Sequence, residues 1–154
     1  MKINFTKAEY KTLIEMLEIA SWVIDGHRAD EPEELKRYND LKQKIFSYAK
    51  KMVADDLISY DRKFQKYYAT RKFEEETPVD DLMEEFENEI FWEELIERLA
   101  KRDMDELASH AFEKDDLEKI FIELHRLREK YIEEFSNNGL ANLRIINAKS
   151  QSKG

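Results

Sequence analysis

Apolar residues recur at helical spacing along most of this chain, and the first clear run is Tyr10, Leu13, Ile14, Met16, Leu17, Ala20, Val23 and Ile24. At about 100° per residue these side chains cover one broad side of a helix. Thr6 followed by Glu9 has the spacing of a capping box, in which hydroxyl and carboxylate each satisfy a backbone N–H at the helix start. Gly26 supplies the stop. Ile19 lies at the margin of the stripe, and Trp22 falls outside it. A second helix is predicted from Pro32, whose missing N–H costs nothing at a first helical position. Its stripe is Leu35, Tyr38, Leu41, Ile45, Phe46, Tyr48, Ala49, Met52 and Val53, with Lys42 as the one charge inside it.

Residues 57–73 mix aromatics with basic residues, and their periodicity supports only a short helix carrying Tyr60, Phe64 and Tyr67. Thr77-Pro78 opens the next helix, with Val79, Leu82, Met83 and Phe86 on one face and Ile90 continuing it. From Phe91 onward the apolar set of Trp92, Leu95, Ile96 and Leu99 moves to the opposite side. One straight helix would then need two opposed cores, so the pattern predicts a break near Asn88. Asp103 and Glu106 repeat the capping-box spacing and predict a short helix to about Phe112. The last long helix is expected from about Asp115 to Phe135, closed by Gly139. These elements define an all-α fold, an irregular bundle of five or six helices in one domain over residues 1–139. Helices one, two and the last should supply most of its core. Residues 140–154 read as a C-terminal tail, partly docked and then flexible.

Charge sharpens this picture without naming a reaction. From Glu74 to Glu118 the chain carries nineteen Asp and Glu against four Lys and Arg, while the whole chain has a net charge of −9. That field opposes nucleic acid and anionic lipid and favours cationic partners. With 42% hydrophobic and 40% charged residues, the sequence is too apolar for a disordered chain and too interrupted by charge to span a membrane. The start, MKINFTKAEY, lacks an apolar signal core, so a cytoplasmic location is expected. The absence of cysteine removes disulfides, thiolate nucleophiles and thiolate metal sites.

Glu106, His110 and Glu113 fall at i, i+4 and i+7, a possible half-site for a metal on a continuing helix. Neither HExxH nor a paired ExxH accompanies them, and a solvated helix face is the simpler reading. His27 follows Gly26 at a helix C-terminus, and His125 borders the last apolar stripe near Glu129. No GxSxG and no phosphate-binding glycine loop occurs, so no cofactor is expected and the pattern points away from an enzyme. Arg62, Lys63, Lys66, Arg71 and Lys72 sit among aromatics that would stack on bases, but the acidic block beside them repels the same phosphates.

The phrases TLIEMLEIASWVIDGHR and FWEELIERLAKRDM look like segments of bacterial helical proteins and carry no family motif. The reading that remains is a non-catalytic protein acting through association with a protein partner or with itself. Ile19 at the margin of its helix stripe, with Trp22 and Ile122 outside theirs, forms the expected partner-binding set. The alternative is an acidic inhibitor, immunity-type protein or nucleic-acid mimic that occupies a basic site. A metal-dependent helical enzyme comes third.

Overall fold

The computed structural model describes residues 3–30, 32–111 and 117–144, with only the backbone described at 108–111. The described chain is all-α apart from one small hairpin. Its order is α1 (Lys7–Asp25), α2 (Lys36–Phe46), β1 (Ile58–Asp61), β2 (Lys66–Ala69), α3 (Arg71–Glu76), α4 (Val79–Ala111) and α5 (Leu117–Asn138). Contacts divide it into two compact units, Met1–Phe86 and Glu87–Gly154.

In the first unit α1 starts at the capping box. Glu9 N donates to Thr6 Oγ1 at 3.2 Å, and Thr6 N donates to Glu9 Oε2 at 2.7 Å. The Thr6 backbone bond holds the Glu9 carboxyl below its ordinary range. Tyr10 and Ile14 are buried, while Met16 and Val23, placed in the apolar stripe by periodicity, stand exposed. The buried side of α1 is therefore rotated toward Trp22, because the hairpin and α3 region packs there. The second helix begins at Lys36 rather than Pro32. Residues 32–35 form a tighter turn in which Leu35 N donates to Pro32 O at 2.9 Å.

That helix also stops at Phe46, short of Val53. Residues 47–53 continue as turns, closed by an Ala54 N to Ala49 O bond of 2.9 Å with Val53 in the left-handed region at φ 59°. Glycine usually holds such a position, and a β-branched residue there is strained. Burial of Ala49 and Ala54 on either side holds the turn in place.

The short helix expected within 57–73 is an antiparallel hairpin, with Ile58 opposite Ala69 and Tyr60 opposite Tyr67. Its turn uses no glycine. Asp61 Oδ1 accepts from Lys63 N at 2.7 Å and Phe64 N at 3.1 Å, and Gln65 takes the left-handed conformation at φ 53°. Gln43 of α2 reaches the β2 backbone: its Nε2 donates to Tyr67 O at 2.9 Å, and Tyr67 N donates to its Oε1 at 2.7 Å. Thr70 then caps α3, accepting from Phe73 N at 3.3 Å.

Tyr10, Ile14, Phe46, Leu57, Ile58, Phe73 and Val79, with the two alanines, make one core. The last helix contributes nothing to that cluster; Leu127 of α5 instead forms a second one with Ala100 and Met104 of α4. The expectation that helices one, two and the last share a core is thus corrected. Turns, hairpin and α3 do much of the covering that was assigned to the last helix.

Tyr10 OH donates to Ile45 O at 2.9 Å, and burial pushes the phenol up to about 12 from 10.0. A folded value above the unfolded one contributes stability that is full below pH 10 and lost as pH rises toward 12. We expect wild type to lose stability over that window by more than Tyr10→Phe does in parallel urea melts. Parallel pH profiles for the two proteins would refute the assignment. At neutral pH the variant should lose about 0.5–1.5 kcal/mol, since Ile45 O keeps its bond from Tyr48 N.

The helix α4 runs unbroken from Val79 to Ala111, which corrects both the break expected near Asn88 and the new helix expected at Asp103. Val79 and Met83 pack in the first core and Ala100 and Met104 in the second, while Leu82, Phe86 and Ile90 of the first apolar run stand exposed. Where the break was expected, Asn88 Oδ1 accepts from Trp92 Nε1 at 3.1 Å, a bond one turn along a continuous helix. Gly139, at φ 52°, closes α5. No helix among the described residues is long and apolar enough to cross a membrane.

Candidate functional site

A cleft of about 270 Å³ in the first unit is built around Trp22. The last turns of α1 bring Glu18, Ser21, Trp22 and Asp25 to one wall. The opposite side consists of Ala69 at the end of β2, Phe73 of α3, and Val79 and Met83 of α4. Phe73 and Val79 belong to the core, so the base of the cleft is apolar and held from behind. Gly26 also lines it. A Cβ at that position would stand 2.6 Å from the Trp22 carbonyl oxygen and 3.2 Å from its ring, so glycine is required for space rather than for an unusual φ.

Four carboxylates edge this apolar base: Glu18, Asp25, Glu74 and Asp80. Glu18 is neutralised by Lys42 Nζ at 2.6 Å, which is where the one charge in the second helix's stripe goes. The other three have no ion-pair partner among the described residues. Asp25 Oδ1 is moreover buried without a hydrogen-bond donor.

A larger cleft, about 640 Å³, lies in the second unit between α4, α5 and the turn after Gly139. Several of its polar groups bond to neighbouring side chains. Tyr131 OH donates to Asp103 Oδ2; Arg102 donates to Asp103 Oδ1 at 2.6 Å and to Tyr131 OH at 3.1 Å. Burial opposes ionisation of Asp103, yet the bonds from Tyr131 and Arg102 outweigh it and leave the carboxyl below its ordinary range. Burial, then the bond to Asp103, raises the Tyr131 phenol. Glu134 likewise accepts from Asn142 at 2.7 Å and Asn138 at 3.2 Å, tying the turn to α5. This arrangement ties the end of α5 to α4 and to the turn that follows it.

The third feature is a helix face. On α4, Leu82, Phe86 and Ile90 follow at one-turn intervals and are 48%, 51% and 41% exposed. From Val79 to Glu97 the helix carries nine carboxylates and no Lys or Arg. Glu94 pairs with Arg98, and Glu97 with Arg128. The other seven have no ion-pair partner among the described residues.

Of the residues singled out from sequence, Ile19 packs against the first core and Trp22 is half-buried in the cleft, while Ile122 is exposed on α5 in the other unit. Ile19 and Trp22 thus share a unit, and Ile122 belongs to the other. Glu106 is exposed, and the His110 side chain and Glu113 lie outside the described residues. Among the described residues no group of three His, Asp or Glu is placed to hold a metal. Sequence reasoning missed the partnership of Asp25 and Glu74 with Trp22, which depends on the fold of the connector. The run without Lys or Arg from 79 to 97, by contrast, could have been found by inspection. No protein-family model, curated protein or solved structure matches the chain.

Proposed function

We propose that this protein acts by binding another protein, through the uncovered face of α4, and that the partner segment is a basic amphipathic helix. The observation that carries this reading is the coincidence on one helix of Leu82, Phe86 and Ile90, all exposed, with seven carboxylates that no cation among the described residues neutralises. Asp81 with Glu85, Glu85 with Glu89, and Glu89 with Glu93 stand at i, i+4, where like charges destabilise a helix. A cationic partner relieves that repulsion while its apolar side covers the three side chains. A second copy of this chain would add negative charge to negative charge, so the face favours a different protein.

A peptide of leucine and lysine in helical period, and a scrambled peptide of the same composition, separate pattern from charge. We expect the patterned peptide to bind about tenfold more tightly by fluorescence anisotropy, and Phe86→Ala to remove about that factor, as truncating a central apolar contact does. The uncompensated carboxylates also support the acidic-inhibitor reading, in which affinity falls with salt but does not depend on Phe86. Equal binding of the two peptides, or indifference to Phe86→Ala, would reject the α4 face as an apolar docking site.

A further inference from the structure

We propose that the Trp22 cleft is a receptor for one lysine or arginine side chain presented by a protein. The inference goes beyond the association reading: the cleft adjoins that face through Asp80 and Met83 of α4, but Leu82, Phe86 and Ile90 do not line it, and a small probe tests it separately.

Size selects first. Sites for small molecules and cofactors commonly span about 300–1,000 Å³. At about 270 Å³ the Trp22 cleft falls below that range and suits a single side chain. Its chemistry then selects among side chains. An apolar base of Trp22, Ala69, Phe73, Val79 and Met83 receives a methylene stem, the part of lysine and arginine that is readily buried against apolar surface. Asp25, Glu74 and Asp80 at the edge receive the cationic head.

No cation among the described residues pairs with Asp25, Glu74 or Asp80. The nearby cation Lys42 is committed to Glu18, and Asp25 retains a buried oxygen without a donor. A neutral apolar side chain would fill the base and leave three charges uncompensated; an acidic one would add a fourth. Only a cation on an aliphatic stem answers both parts.

The test uses the full chain carrying Trp92→Phe, which leaves Trp22 as the one tryptophan. Its emission is followed while titrating the capped tripeptide Gly-Lys-Gly, the same peptide acetylated on Nζ, and butylammonium. We expect a saturable change with the lysine peptide and with butylammonium, and at least about fivefold weaker binding of the acetylated peptide, the order of one lost charge-assisted contact. Asp25→Asn and the more exposed Glu74→Gln should each weaken the lysine peptide by about fivefold while circular dichroism is unchanged. If Asp25→Asn fails to fold, Glu74→Gln alone decides. Equal binding of the acetylated peptide, full binding by Glu74→Gln, or no saturable response would overturn the proposal. A response to butylammonium without one to the peptide would reject a protein side chain as the occupant in favour of a free amine. Loss of the α4 interaction with peptide binding intact here would sink the association surface and leave this site standing.

Discussion

Phe46→Ala should lower the stability of the first unit by about 3–5 kcal/mol, the cost of removing a buried aromatic side chain and leaving a cavity. Phe46 is fully buried at the end of α2, among Tyr10, Ile14, Ala49 and Phe73, and Lys42 Nζ lies 5.3 Å from its ring centre. The variant loses the apolar burial and the cation–π contact together, and the ammonium that pairs with Glu18 loses a neighbour. Domains of this size have total stabilities of about 5–15 kcal/mol, so the loss is a large share of what exists. Urea melts should show a lower midpoint at an unchanged slope. A loss below about 1 kcal/mol, within the range of ordinary surface changes, would place Phe46 outside the core and invalidate the packing described for the first unit.

Asn88→Pro is expected to cost about 3 kcal/mol or more, because proline removes an amide donor and its ring clashes with the carbonyl of the residue four before it, here Glu84. The substitution is decisive because the apolar pattern alone argues for a break at this place. Were α4 interrupted near Asn88, proline would be tolerated there and even suited to the start of a new helix. Asn88→Ala is the control. It forfeits only the exposed bond from Trp92 Nε1 and gains helix propensity, so it should stay within about 0.5 kcal/mol of wild type. Near-neutral behaviour of Asn88→Pro, with helical circular dichroism retained, would show that α4 is two helices.

These two positions mark what can and cannot be read from one chain. The start of α1 was legible because a capping box is a local interaction, complete within four residues. The all-helical character was legible because the period of apolar positions persists over long stretches. The continuity of α4 was not: the break was argued from two opposed apolar faces, and Leu82, Phe86 and Ile90, which set the first of them, stand exposed. The hairpin was missed because its turn is made by an Asp61 side chain and a left-handed Gln65, where the usual signal is glycine.

Trp22 stood out as an aromatic off the stripe. Its surroundings were invisible, since Phe73 and Glu74 approach it only through the fold of residues 57–76. Met16 and Val23 show the converse error. An apolar residue in phase with a stripe is buried only if something arrives to cover it, and nothing in the local spacing says what will.

The Gln43 amide has one more consequence. By offering both a donor and an acceptor to Tyr67, it occupies the position that a third strand would take on β2. Open strand edges are where sheets recruit other chains and where aggregation by strand addition begins. Here a helix side chain plugs that edge at its middle, so lengthening of the sheet from the β2 side is blocked even though Tyr68 beside it is exposed and rich in β propensity. What this molecule offers to others on that side is side-chain chemistry, and the backbone is withheld.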